Sequence, residues 1–99
     1  MSWVIAQSLK IDDGGKSQEF AISGTSAQSA AINADSFVFT PSVDCYVRRG
    51  TNPTALADGS DMKVVGGHTY RVREGWVIGE KLAFITDGTA GFVSITPNA

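Results

Sequence analysis

Residue types able to do chemistry are sparse in this sequence. His68 is the single histidine and Cys45 the single cysteine among 99 residues. One histidine excludes a His–His metal pair and leaves one imidazole as a general base. One cysteine excludes both an intrachain disulfide and a thiolate metal cluster. A serine nucleophile on an elbow would need the pattern G-x-S-x-G, which Gly24-Thr25-Ser26 does not complete, although a triad gathered from distant positions stays open. The simplest reading of His68 is a half-buried strand residue beside Tyr70. Cys45, between Val43 and Val47, reads as a small buried hydrophobe.

Carboxylates and aromatic rings complete the inventory. Asp12-Asp13-Gly14 and Asp58-Gly59 with Asp61 offer oxygens to a calcium ion, but neither has the regular spacing of a calcium loop, and Asp-Gly is hairpin-turn vocabulary. Glu80-Lys81 follows Gly79 as turn-flanking polarity. Trp3, Trp76, Tyr46 and Tyr70 could line a sugar-binding face, in competition with ordinary core packing. No catalytic residue, metal or cofactor is expected from these groups, and the chain reads as an interaction module rather than an enzyme.

The charge balance narrows the partners. Eight Lys and Arg against ten Asp and Glu give a net charge of −2, with no block of one sign. Nucleic-acid binding would need a basic stripe to neutralise phosphates. The nearest approach to one is Arg48-Arg49 with Arg71 and Arg73, a patch only if their strands are neighbours. No apolar run approaches the roughly 20 residues that span a bilayer, and the first residues do not read as a signal peptide, so neither nucleic acid nor membrane is an expected partner. The expected compartment, at least initially, is a cytoplasm-like one.

These residues must be positioned by strands. Short alternating segments are separated by Gly, Asp, Asn and Pro, with eleven glycines spread along the chain. That pattern predicts one all-β domain spanning residues 1–99, a small β-sandwich or jelly-roll-like barrel of about eight antiparallel strands. Residues 3–9, a turn at 12–15 and residues 18–23 read as an opening hairpin with Phe20 and Ile22 inward. Residues 26–34 fit a short strand or extended edge better than a helix, because only Ile32 would give a helical face any bulk. Strands follow at 37–40, broken by Pro41, and at 43–48, with Val43, Cys45 and Val47 inward and Asp44, Tyr46 and Arg48 outward. Residues 50–61 form the longest polar connection, of the length that is mobile or functional. Residues 62–65 and 68–73 make two further strands, and 76–78 a short apolar piece. Residues 81–85 and 92–96, separated by Asp87-Gly88, read as a C-terminal hairpin.

The run Phe37-Val-Phe-Thr-Pro-Ser-Val-Asp-Cys-Tyr-Val-Arg-Arg-Gly50, followed by Thr51-Asn-Pro-Thr-Ala55 and a small-residue loop, resembles small virion structural proteins of tailed bacteriophages. The likeness continues through Gly67-His-Thr-Tyr-Arg-Val72 and Gly79-Glu-Lys-Leu-Ala-Phe-Ile85 to Gly91-Phe-Val-Ser-Ile-Thr96, and includes Gly24-Thr-Ser-Ala-Gln-Ser-Ala-Ala31 upstream. Residues 1–16 lie outside it. The resemblance implies a β-sandwich that decorates a capsid or forms part of a tail, and it carries no catalytic residues.

The expected function is therefore that of a capsid decoration or cement protein in the virion, assembling as a homo-oligomer on the major capsid protein or another virion protein. A tail or neck adaptor and a small carbohydrate-binding module are the alternatives. Expected partner contacts are Trp3 and Ile5, on an extended arm of residues 1–8, then Asn52, Pro53 and Leu56 in the long connection, and Trp76.

Overall fold

From Phe37 to Pro41 the side chains alternate between buried and half-buried, as they do in a strand with one face on a core. The computed structural model describes residues 17–97, and within them eight strands form. They are β1 (Gln18–Ile22), β2 (Ala27–Gln28), β3 (Phe37–Pro41), β4 (Cys45–Gly50), β5 (Met62–Val64), β6 (Tyr70–Val72), β7 (Lys81–Ile85) and β8 (Gly91–Pro97). One sheet has the order β1-β8-β3-β6 and the other β2-β7-β4-β5, with every pairing antiparallel. Every connection except that from β4 to β5 passes from one sheet to the other. This is the double Greek-key order of a jelly roll.

The registers fix which side chains meet. Phe20, Ile22, Phe37, Phe39, Val93 and Ile95 face inward from the first sheet, and Cys45, Val47, Val64, Leu82 and Phe84 from the second. Phe84 is central, with its ring centroid 5.8 Å from that of Phe20 and 5.6 Å from that of Phe39. Burying one such ring contributes roughly 2–3 kcal/mol, so these facing aromatics are a principal source of stability. Among the described residues, both buried polar side chains are hydrogen bonded. The Ser29 hydroxyl accepts from the Leu82 amide at 3.0 Å, and the Thr86 hydroxyl donates to the Thr89 carbonyl at 2.7 Å.

The crossing from β3 to β4 is clamped by backbone. Ser42 N–H donates to Phe92 O at 2.8 Å, and Phe92 N–H to Ser42 Oγ at 2.8 Å. Gly66 lies so close to the crossing that a Cβ there would stand 2.6 Å from Val43 Cα. Its amide donates to Asp44 Oδ1 at 2.9 Å, and that of Gly67 to Pro41 O at 2.7 Å. Pro41 thus ends β3 where its missing N–H costs no ladder bond.

Several expectations need correction. Residues 81–85 and 91–97 are not a hairpin, because β7 pairs with β4 and β2 while β8 pairs with β1 and β3. Asp87-Gly88 turns the chain from one sheet to the other, and the Thr86 amide is taken by Ser23 O at 2.8 Å. By contrast, the short strand or extended edge expected at 26–34 is present, with β2 at Ala27–Gln28 followed by non-helical backbone in which Ser29, Ile32 and Ala34 are buried. The sixth strand starts at Tyr70, so His68 sits in the preceding turn, exposed rather than half-buried. The expected first strand, its turn, the 1–8 arm, and with them Trp3 and Ile5, lie outside the described residues.

Candidate functional site

Strand alternation makes Met62 an inward position of β5, paired with Val47, and yet Met62 is 68 % exposed. Two residues on, Val64 pairs with the buried Cys45 and is itself buried. The sheets therefore part along the β5 and β6 edges, and the core opens there into a cleft of about 290 Å³. Phe39, Val47, Val64 and Leu82 line it, together with Tyr70 and Val72 of β6.

Its architecture follows from short edge strands. Both β5 and β6 have three residues, each pairs on one side only, and neither is long enough to cover the other. Tyr70 stacks on Phe39 at 5.3 Å between ring centroids, and its hydroxyl accepts from the Val65 amide at 2.8 Å, tying the two edges together. Trp76 packs edge-on against Phe37 at 4.8 Å and donates to Ile32 O at 3.3 Å.

Three arginines meet this apolar lining, namely Arg48, Arg49 and Arg71. Arg49 continues the inward series Cys45 and Val47, but its guanidinium lies 5.4 Å from the Trp76 centroid, bonds Glu80 Oε1 at 3.1 Å and donates to Gly75 O at 2.6 Å. Arg48 Nε pairs with Asp61 Oδ1 at 2.6 Å. Arg71 has no ion pair among the described residues. The arginines of β4 and β6 are in different sheets, so they are not strand neighbours as the patch expectation required, and they approach one another only across the mouth of the cleft.

The connection from β4 to β5 is a strap laid over the outer face of the second sheet. Gln28 Nε2 donates to Asn52 Oδ1 at 2.6 Å and Pro53 O at 3.1 Å, and the Ala55 amide donates to Ser26 Oγ at 2.9 Å. Asp61 closes it by accepting from Arg48 and from the Leu56 amide at 2.7 Å. Pro53 and Ala55 are consequently buried, while Asn52 and Leu56 stay exposed. Of the expected contacts, Trp76 borders the cleft and Asn52, Pro53 and Leu56 lie on the strap. Tyr46 faces outward from β4, so it shares no sugar-stacking face with Trp76.

Cys45 is 1 % exposed, and burial, reinforced by Asp44, pushes its thiol up to about 11. Asp58 is held below the usual carboxylate range by hydrogen bonds from the Ser60 hydroxyl and amide, at 2.6 and 3.0 Å, which makes it a turn residue. His68 has its ring 6.5 Å from that of Tyr70. Among the described residues no three His, Cys, Asp or Glu side chains gather to hold a metal.

Sequence reasoning missed Arg49, Arg71 and Met62 as cleft residues. A usable signal existed for Arg49, since the alternation through 43, 45 and 47 already points residue 49 inward. No protein-family model matches the chain, and neither a curated protein nor a solved structure matches it.

Proposed function

We propose that this chain is a non-enzymatic structural protein of a tailed-phage virion, binding the capsid surface as a decoration or cement protein and assembling there in repeated copies. The observation that carries the reading is a set of large apolar side chains held exposed on an ordered frame, with Met62, Val77, Ile78 and Phe92 between 54 and 68 % exposed. Exposed apolar groups of this size, set among polar neighbours, are the usual anchors of protein contacts. The virion assignment rests on the sequence likeness over residues 24–96, and the jelly-roll order agrees with it by fold analogy, since viral coat domains use that architecture. Weak contacts suffice on a lattice, where many copies act together.

Co-sedimentation of the purified chain with undecorated capsids tests the proposal. Saturable binding in many copies per particle, weakened when Val77 and Ile78 are both changed to Asp, supports it. A persistent monomer in light scattering with no capsid binding would overturn it and favour a tail or neck adaptor.

A further inference from the structure

The cleft between β5 and β6 combines three features that point to one kind of occupant. Its lining is apolar and continuous with the core, so a large apolar side chain entering it would lose water as a core residue does. The charged residues bordering its mouth are arginines alone, and because Asp61 and Glu80 already hold Arg48 and Arg49, Arg71 is the one without an ion pair among the described residues. Among the described residues the far edge of β6 pairs with no strand, so its main-chain groups are free to receive one.

Period-two geometry joins these features. Along β6, Tyr70 and Val72 face the cleft and Arg71 faces the other way. A strand added beside β6 would set alternate side chains over the cleft, with the one between them next to Arg71. We propose that this edge binds an extended peptide segment of a partner protein in which an acidic residue is flanked on both sides by large apolar ones. The apolar pair fills the cleft, the carboxylate meets Arg71, and backbone hydrogen bonds to β6 set the register. The inference stands whether or not the chain belongs to a virion.

The test uses the full-length ¹⁵N-labelled chain and blocked nine-residue peptides alternating valine with glutamate. Two controls carry lysine in place of glutamate, or methylated backbone nitrogens. The expected result is a set of amide shifts concentrated at residues 62–64 and 70–76, absent with both controls. Arg71→Glu should weaken the glutamate peptide roughly tenfold and allow the lysine peptide to bind. Met62→Glu, at an exposed position that leaves the core intact, should abolish binding of the glutamate peptide. Equal binding of the glutamate and lysine peptides, or of the methylated and unmethylated ones, would overturn the proposal. So would self-association removed by Met62→Glu in a chain that binds no peptide, since a second copy would then be the occupant.

Discussion

The guanidinium of Arg49 stands over the indole of Trp76, 5.4 Å from its centroid, at a position where β4 points toward the core. A charge is tolerated there because the sheets part and because the Glu80 carboxylate and the Gly75 carbonyl accept its hydrogen bonds. The pair caps one end of the apolar cleft, with the ring supplying a hydrophobic wall and the cation a polar lid.

Truncating Trp76 to alanine should cost about 2–4 kcal/mol, because it removes the ring that covers Phe37. Arg49→Ala should cost about 1 kcal/mol, limited by a side chain that is 46 % exposed. A double-mutant cycle in urea unfolding should give a coupling of about 0.5–1 kcal/mol. Strict additivity would show that the two groups do not sense each other.

Gly66→Ala should destabilise by at least about 2 kcal/mol. The new methyl would stand 2.6 Å from Val43 Cα and 2.9 Å from Ser42 O, and backbone cannot move aside as a flexible side chain can. Gly59→Ala, where nothing lies within 4 Å, costs only the strain of its positive φ and serves as the comparison in thermal unfolding.

The buried thiol makes stability fall in alkali. Cys45 holds its proton up to about 11 when folded, against the 9.0 of an ordinary thiol. Its contribution is complete below pH 9 and is lost as pH rises from about 9 to 11, where only the unfolded thiol ionises. The loss is on the order of 2–3 kcal/mol. Cys45→Ala should flatten that part of the stability profile, and in native protein at pH 8 the thiol should resist iodoacetamide until urea unfolds the chain.

Asp61→Ala should release the strap. Its carboxylate side chain is 5 % exposed and binds both Arg48 and the Leu56 amide, so removal leaves two donors without an acceptor, at a cost of about 1–3 kcal/mol. Limited proteolysis should then cut within residues 56–60, which the parent chain should resist.

Much of the strand map was legible because alternation reports directly on burial. Val43, Cys45 and Val47 read as inward, and so did Phe20 and Ile22; the structure packs all five on the core. Sheet membership was not legible, since a period of two says which face a residue occupies and nothing about its neighbour. Asp87-Gly88 has the chemistry of a hairpin turn, but the outcome there was decided by distant partners, the Ser23 carbonyl and strands β1, β3 and β4. The strap was hidden for the same reason. Its polar sequence reads as an open loop, whereas Ser26, Gln28 and Arg48, far away in sequence, hold it down. The cleft is a product of two short edge strands failing to meet, and no local pattern encodes that.

The pairing of β1 with β8 carries a kinetic consequence. Glu19 and Ser94 are cross-strand partners 75 positions apart, and β8 is also the strand that links β1 to β3. On the ribosome, β1 emerges long before its partner, so the first sheet cannot assemble until nearly all of the described chain has been synthesised. Closure of so long a loop places folding in the slow range of milliseconds to seconds typical of non-local β topologies. In that interval the apolar edges of β1 and β3 are exposed to other nascent chains, so yield in a host cell should be governed by how quickly β8 arrives, as much as by the stability of the finished domain.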